Sequence, residues 1–235
     1  GRIVGEGWHR RAGEPHAEVH ALAAAGAAAR GATAYVSLEP CAHHGRTPPC
    51  ADALIAAGVS RVVAAMADPF PRVDGAGFAR LREAGIAVEC GLLEDAAREL
   101  NAGFLSRVQR HRPWIRVKLG VSLDGRTALA DGRSQWITSV AARADVQQWR
   151  ARSSAILTGI GSVLADDPRL TVRLPDIDHG TPERIVLDSN WRLPADARLL
   201  AEPGAILVVT GPNAAERPEF GERVERIAVP APAAD

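Results

Sequence analysis

One histidine and two cysteines stand where helices begin or a strand ends. His16 opens an alanine-rich helical segment in the string His16-Ala17-Glu18, Cys41 follows a buried strand, and Cys50 begins a further helix after eight intervening residues. One imidazole and two thiolates can hold zinc, and a zinc ion with three protein ligands keeps a fourth position for water. The sequence therefore predicts a metal site formed by His16, Cys41 and Cys50.

A carboxylate accompanies these three residues. Glu18 lies two residues after His16 on the first helical turn, where it can stand near the metal without ligating it. Zinc lowers the pKa of its bound water to about 7, so a nearby carboxylate can carry a proton from that water to a leaving group. We therefore predict that Glu18 is a general acid/base. Both cysteines lie close to predicted helix starts, where the helix dipole favours the thiolate form.

Strands and helices alternate along the chain, which predicts an α/β layered sandwich with parallel strands. In the first half, helices are predicted at 18–29, 50–57, 78–84 and 94–108, and strands at 2–4, 33–38, 61–66 and 86–90. The helical period stops at a basic run before Pro113, so we predict domains at 1–111 and 112–235. In the second half of the chain, strands are predicted at 114–122, 155–158, 184–187 and 206–210, and helices at 140–152 and 160–164.

Charge and composition narrow the class of partner. Lys plus Arg and Asp plus Glu both number 28, so the formal net charge is zero and no strong field would attract nucleic acid. No run of about 18 apolar residues and no signal peptide are found, so we expect a cytoplasmic protein with no membrane partner. Three cysteines are too few for a disulfide framework in a chain of 235 residues, which favours metal binding or burial. Whether the chain forms a homo-oligomer stays open.

Other interpretations of the same residues remain open. Cys41 and Cys50 are small enough to be core residues, and His16 could be a surface histidine. A structural zinc would need a fourth protein ligand, for which His20, His43 and His44 are candidates. A zinc-dependent nucleoside or nucleic-acid deaminase with an accessory nucleotide-binding domain would share the metal chemistry, but such enzymes have two residues between the cysteines. A zinc-stabilised binding module would hold the metal without catalysis.

Two longer strings carry a resemblance to a known family. Gly13–Ala21 (GEPHAEVHA) and Leu38–Cys50 (LEPCAHHGRTPPC) resemble the bifunctional riboflavin-biosynthesis deaminase/reductases, in which a long spacing between the cysteines is the norm. Beyond Pro113, the segments Lys118–Ala128, Ser134–Thr138 and Leu164–Arg173 resemble the reductase half of that family. The resemblance covers nearly the whole chain. It implies a cytidine-deaminase-like three-layer sandwich followed by a dihydrofolate-reductase-like domain.

The resemblance also implies a reaction for the first domain. Zinc-dependent hydrolysis would remove the 2-amino group of 2,5-diamino-6-ribosylamino-4(3H)-pyrimidinone 5′-phosphate, a small-molecule phosphorylated pyrimidine, and Glu18 would give a proton to the departing ammonia. His9 and Arg46 flank the metal motifs, and either could hold the substrate phosphate. As exposed polar residues they could equally be solvated surface.

For the second domain the resemblance implies reduction of the ribosyl group to a ribityl chain by NADPH. The positions that match NADP contacts in the family are Gly120, Trp136, Ser162, Asp166 and Ser189. Those that match substrate contacts are Ser134, Arg150, Leu170 and Arg173. Two arginines suit a phosphate ester because each guanidinium fork can bind two oxygens. Trp136 and Leu170 could equally belong to the core.

Two parts of the family pattern are expected outside this chain. The N-terminal helix with an asparagine-containing substrate loop would precede residue 1, and the glycine-rich loop for the NADPH pyrophosphate would follow residue 235. We therefore expect both domains to be incomplete at their outer ends.

Overall fold

The computed structural model describes residues 1–11, 13–175 and 180–230. The chain divides into two compact units, Gly1–Arg116 and Val117–Asp235, and each unit builds its own sheet of parallel strands. The division falls a few residues beyond the predicted boundary at 111, within an exposed segment that has no regular secondary structure.

The first unit is a three-stranded parallel sheet with its helices in the connections. Its strands, in the order β1-β2-β3, are β1 (Thr33–Val36), β2 (Arg61–Ala64) and β3 (Ala87–Cys90). Its helices are α1 (Ala17–Ala25), α2 (Cys50–Ala57), α3 (Ala76–Glu83), α4 (Glu94–Leu100) and α5 (Ala102–Arg110), and a short 3-10 turn, Gly26–Ala29, follows α1.

The β1-α2-β2-α3-β3 arrangement follows from where the sequence stops each helix. Gly58 ends α2 with φ +70°, and its N–H donates to carbonyls of the last turn, which is the usual glycine stop. Parallel neighbours need a crossover of this kind, and the crossover helices bury one face against the sheet. The buried core beneath them consists of Ala51, Leu54, Val59, Val62, Leu81 and Ile86.

Near its beginning the chain crosses α1 at very short range. A Cβ on Gly5 would lie 2.3 Å from the carbonyl oxygen of Ala21, and one on Gly7 would lie 2.4 Å from that of Ala17. Only glycine allows this approach, because any side chain would overlap the helix backbone. The close crossing brings His9, two residues after Gly7, beside His16 at the start of the helix.

The second unit is a four-stranded parallel sheet in the order β4-β5-β6-β7. Its strands are β4 (Ala155–Gly159), β5 (Glu183–Leu187), β6 (Ile206–Thr210) and β7 (Glu225–Ala228). Its helices are α6 (Val140–Ala151) and α7 (Ile160–Asp166), with 3-10 turns at Arg198–Ala201 and Pro218–Arg223. Ser139 caps α6, because its hydroxyl accepts a hydrogen bond from the Ala142 N–H at 3.1 Å.

The predicted α/β class with parallel pairing is confirmed, and helix Cys50–Ala57 has the predicted bounds. The strands predicted at 2–4 and 114–122 are wrong: neither segment forms a strand. In the second segment Ile115, Val117 and Leu119 stay 75%, 74% and 69% exposed. Alternating apolar residues favour a β-strand, but a strand forms only where a neighbouring strand pairs with it.

The predicted helix 94–108 is two helices rather than one. The break falls at Asn101, whose side-chain amide donates to the Ala97 carbonyl at 2.9 Å. Asparagine competes for backbone partners in this way, which explains the interruption. In the described part of the chain, no helix has both the length and the apolar character needed to cross a membrane.

Candidate functional sites

The three predicted metal ligands come together in the first unit. His16 immediately precedes α1, Cys41 lies in the segment after β1, and Cys50 is the first residue of α2. Their ligand atoms all lie within 4.8 Å of one another. Within the described residues no further histidine, cysteine or carboxylate joins this group, so His20, His43 and His44 do not supply a fourth ligand.

The spacing of the three ligand atoms suits a single zinc ion. His16 Nδ1 lies 3.2 Å from Cys50 Sγ and 3.7 Å from Cys41 Sγ. Around a tetrahedral zinc with usual bond lengths, such nitrogen and sulfur atoms would be roughly 3.5–3.8 Å apart. The donor set and the distances therefore fit a zinc site of the three-ligand type.

Backbone groups at the start of α2 hold Cys41. The Cys50 N–H donates to Cys41 Sγ at 3.3 Å, and the Ala51 N–H donates to the Cys41 carbonyl at 3.1 Å. A thiolate at the N-terminus of a helix is stabilised by such N–H groups and by the helix dipole. Cys50 thus begins the helix whose first N–H groups orient Cys41.

The two thiols have opposite tendencies to ionise. A hydrogen bond from the Cys50 thiol, helped by the Cys50 N–H and the charge of His16, lowers the pKa of Cys41 to about 5. The same shared hydrogen bond, together with burial, raises the pKa of Cys50. These contacts favour the thiolate form at Cys41 over Cys50.

Glu18 lies on the first turn of α1 and is partly buried. Its carboxylate is close enough to Cys50 to raise the pKa of that thiol further, through its charge and a hydrogen bond, after the larger effects of Cys41 and burial. Glu18 is outside the group of three ligand atoms. Its position beside the group, and not in it, is the position that a proton carrier needs.

A cavity of about 280 Å³ opens onto His16 and Cys41, two of the predicted metal ligands. Both residues predicted to hold a phosphate, His9 and Arg46, line it. The His9 ring packs edge-on against the His16 ring with centroids 5.2 Å apart. The remaining lining residues are Gly13, Glu14, His43, Gly45 and Thr47. Of these, only His43 was singled out by the sequence, as a fourth ligand, and it lies at the cavity wall instead.

We expect Cys41 to be alkylated selectively at mildly acidic pH. In chelator-treated protein its lowered pKa, about 5, keeps it a thiolate between about pH 5 and 8, where a thiol with an ordinary pKa is protonated and unreactive. Cys90 is the one exposed cysteine of the three, but partial burial of its thiol and the charge of Glu94 raise its pKa, so its reaction should begin only at higher pH. Iodoacetamide labelling followed by peptide mass analysis measures the labelling of Cys41 and of Cys90 against pH. Cys90→Ser is the control, in which the labelling of Cys41 should be unchanged. A midpoint for Cys41 near 8 or above would contradict the proposed ionisation.

A second, larger cavity of about 650 Å³ lies in the second unit. It is bounded by the exposed segment before α6, by α6 and α7, and by the segment after α7. All but one of the residues predicted in the second domain to contact NADP or substrate line it: Gly120, Ser134, Trp136, Arg150, Ser162, Asp166, Leu170 and Arg173. The structure thus brings the predicted residues of four separate segments together in one cavity.

Ser189 lies elsewhere. It follows β5, is exposed, and accepts a hydrogen bond from the Gly211 N–H on its backbone carbonyl at 2.9 Å. It is not among the described residues that line the second cavity. Trp136 is 70% exposed, which argues against a place in the core, whereas Leu170 is 6% exposed and belongs to the core cluster as well as to the cavity wall.

The second cavity is strongly cationic. Six lysine or arginine side chains line it against two carboxylates, so its charge favours an anionic ligand. Arg150 and Arg173 both line this cavity. Burial lowers the pKa of Arg150, and the charge of Arg173 lowers it further. Arg150 donates to the Thr171 carbonyl at 2.9 Å, and no carboxylate pairs with either arginine among the described residues. Two guanidiniums on the wall of one cavity are well suited to a phosphate ester.

Four cationic residues of this cavity were not predicted as ligand contacts: Lys118, Arg143, Arg169 and Arg198. Arg143 lies 4.3 Å from the Trp136 ring centroid and donates to the Thr138 carbonyl, and Arg169 pairs with Glu202 at 3.2 Å. Lys118 and Arg169 belong to strings that resemble the family's reductase half. Arg143 and Arg198 come from two other segments, and no local pattern distinguishes them from ordinary surface arginines.

Two family models match the chain, one for each unit. Residues 1–66 match the cytidine and deoxycytidylate deaminase zinc-binding region, and residues 113–228 match the RibD C-terminal domain. The first match contains all three metal ligands and Glu18. The second contains the whole lining of the second cavity.

Curated relatives and solved structures agree with these matches. The chain is 60% identical to riboflavin biosynthesis protein RibD of Escherichia coli over 215 residues, which is 87% of this chain and 59% of the relative. It is 49% identical to the Haemophilus influenzae protein of the same name, over 89% of this chain and 59% of the relative. The chain thus spans about three fifths of the length of these relatives.

Among solved structures, Acinetobacter baumannii RibD superposes with a TM-score of 0.88 at 49% identity, covering 99% of this chain and 65% of that one. A Thermotoga maritima diaminohydroxyphosphoribosylaminopyrimidine deaminase/5-amino-6-(5-phosphoribosylamino)uracil reductase superposes with a TM-score of 0.84 at 38% identity. The match covers 96% of this chain and 64% of that one.

Proposed function

Because the chain belongs to the RibD family of riboflavin biosynthesis proteins, we propose that it carries a zinc-dependent deaminase in residues 1–111 and an NADPH-dependent reductase in residues 112–235. The proposed substrate is 2,5-diamino-6-ribosylamino-4(3H)-pyrimidinone 5′-phosphate, which would lose its 2-amino group and then have its ribosyl group reduced to a ribityl chain. One observation carries the deaminase half: His16, Cys41 and Cys50 offer three ligand atoms within 4.8 Å, with the Glu18 carboxylate beside them.

In the first unit His16, Cys41 and Cys50 would hold the zinc, with Cys41 already ionised. Zinc, when bound, supplies a Lewis acid that makes water a better nucleophile at neutral pH. Glu18 would accept the proton of that water and deliver it to the departing amine. His9 and Arg46, on the wall of the cavity over the ligands, would bind the phosphate of the substrate.

In the second unit the cavity residues would orient two phosphorylated molecules. NADPH, when bound, supplies the hydride, so the protein contributes orientation and charge. Gly120, Trp136, Ser162 and Asp166 would contact the cofactor, and Ser189, although outside the cavity lining, stays a predicted contact. Ser134, Leu170 and the pair Arg150 and Arg173 would hold the substrate, with the two guanidiniums on its phosphate.

Zinc content and ammonia release test the first half together. We expect the protein, tested together with the segments expected on either side of residues 1–235, to bind one zinc ion and to release ammonia from the diaminopyrimidine phosphate but not from cytidine. Chelation should stop the release and added zinc should restore it. Zinc binding with release from cytidine alone would instead support a nucleoside deaminase, and zinc binding without any release would support a binding module.

Arg173→Ala tests the second half separately. We expect the KM of reduction for the phosphorylated substrate to rise roughly 10- to 150-fold, because a hydrogen bond to a charged group is worth about 1.5–3 kcal/mol. Oxidation of NADPH, followed by its absorbance, gives the measurement, and ammonia release should be unchanged. Arg133→Ala is the matched control, since Arg133 is exposed, pairs with Asp131 and lies outside the cavity lining. Equal effects of the two variants would contradict the phosphate role.

A further inference from the structure

Glu39, two residues before the metal ligand Cys41, is buried although it is a carboxylate. It is only 3% exposed. No arginine or lysine forms an ion pair with it in the described ranges of the chain. A buried carboxylate without a cation is costly unless several donors satisfy its oxygens. The partners of Glu39 therefore indicate why it is there.

Four backbone N–H groups bind the Glu39 carboxylate, two to each oxygen. Asp68 and Gly75 donate to Oε2 at 3.2 and 3.1 Å. Gly77 and Phe78 donate to Oε1 at 2.9 and 3.2 Å. The Glu39 N–H in turn donates to the Met66 carbonyl at 3.0 Å, just beyond β2. The segment after β1 is thus tied to the segment that connects β2 with α3.

Three of these donors lie at the start of α3: Gly75 is the residue before the helix, and Gly77 and Phe78 are in its first turn. The helix begins after Gly75 and has no side-chain cap of its own. Free N–H groups at a helix start need an acceptor, and a negative charge there also interacts favourably with the helix dipole. Glu39 is therefore the cap of α3, supplied by a distant part of the chain.

Close packing adds to this connection. A Cβ on Gly77 would lie 1.9 Å from the carbonyl oxygen of Pro40, the residue between Glu39 and Cys41. Pro40 is itself fully buried. The first turn of α3 therefore touches the backbone that immediately precedes the cysteine, and only glycine at position 77 allows that contact.

We propose that Glu39 is a positioning residue of the metal site, which fixes the Pro40-Cys41 backbone against the start of α3 so that Cys41 Sγ faces His16 and Cys50. This inference rests on the proposed zinc site. Cys41 is then held from two sides: α3 fixes the backbone through Glu39 and Gly77, and α2 fixes the carbonyl and the sulfur through Ala51 and Cys50. The ligand geometry would be set by these supports before the metal binds.

Zinc affinity measured against a chromogenic chelator tests this role without using activity. In Glu39→Gln the amide NH₂ would face N–H donors, so the segment should shift. We expect zinc affinity to fall about 10- to 100-fold, as it does when groups that orient metal ligands are removed. With cobalt(II) as a second probe, the sulfur-to-metal charge-transfer absorption should weaken, because one thiolate is lost or displaced. Gly77→Ala, which keeps the carboxylate but pushes Pro40, should give the same two changes.

Two controls separate positioning from general loss of stability. Val62→Ala truncates a fully buried core residue of β2 and should lower the unfolding midpoint while leaving zinc affinity within about twofold, because Val62 is neither a metal ligand nor a hydrogen-bond partner of Glu39. Glu89→Gln, an exposed carboxylate paired with Arg61, should change neither property.

Zinc affinity in Glu39→Gln equal to that of the unsubstituted chain would overturn the proposal, and so would an equal loss in Val62→Ala. If Glu39→Gln does not fold, the same comparison is made with Gly77→Ala and Glu39→Asp. Absence of zinc binding in the unsubstituted chain is a different result, because it removes the proposed metal site itself.

Discussion

Glu18→Gln should retain its zinc and lose almost all deaminase activity, with ammonia release slowed about 10²- to 10⁴-fold, which is the usual contribution of a general acid/base. Glutamine has nearly the same shape but cannot accept and return a proton. Glu18 is outside the group of metal ligands, so the substitution should leave His16, Cys41 and Cys50 in place. Removing its charge also removes one of the effects that raise the pKa of Cys50, so metal binding should not weaken.

The measurement pairs ammonia release with zinc content in the same preparation. Glu83→Gln is the matched control, because Glu83 is an exposed glutamate at the end of α3. Ammonia release by this variant should be unchanged. Retained turnover in Glu18→Gln would remove Glu18 from the reaction. Lost turnover together with lost zinc would mean that Glu18 supports the metal site and does not carry the proton.

The largest effect on stability is expected at Arg184 in β5. Its side chain is 1% exposed, and its guanidinium donates to the backbone carbonyls of Leu199, Glu202, Pro203 and Gly204, the last three at 3.1, 2.8 and 2.6 Å. One side chain thereby holds the segment that leads from the 3-10 turn Arg198–Ala201 into β6. The same turn contributes Arg198 to the wall of the second cavity.

We expect Arg184→Met to lower the free energy of unfolding of the second unit by about 3–5 kcal/mol. Methionine fills much of the volume, but the buried Leu199 carbonyl loses its donor, and a buried acceptor without a partner costs about 1–3 kcal/mol by itself. Chemical denaturation followed by circular dichroism gives the value. Arg126→Met, at a side chain that is 79% exposed, should change it by less than about 1 kcal/mol. A similar small change in Arg184→Met would show that the carbonyls find other donors.

The local sequence was sufficient where a residue's role depends on its immediate neighbours. The helix Cys50–Ala57 begins after Pro49 and stops at Gly58, and both signals lie within the segment itself. The string His16-Ala17-Glu18 likewise determines that a ligand and a carboxylate share one helix start. The α/β class followed from the same alternation of short signals.

Pairing and contact between distant segments could not be predicted in this way. The pattern of residues 114–122 predicted a strand, yet the segment is mostly exposed and forms no strand, because a strand needs a neighbouring strand as well as a local preference. The cationic lining of the second cavity, with Arg143, Arg169 and Arg198, appears only when three segments meet.

The predicted metal site also has a part that the sequence determines and a part that only the tertiary structure decides. The sequence by itself determined which residues offer nitrogen, sulfur and carboxylate, since these are properties of side chains. Only the tertiary structure decided that Glu39 caps α3 and that Gly77 lies against Pro40, since hydrogen bonds and close packing act through space between residues 36 to 39 positions apart. Ligand identity is therefore a local property of this chain, whereas ligand geometry depends on how its segments pack.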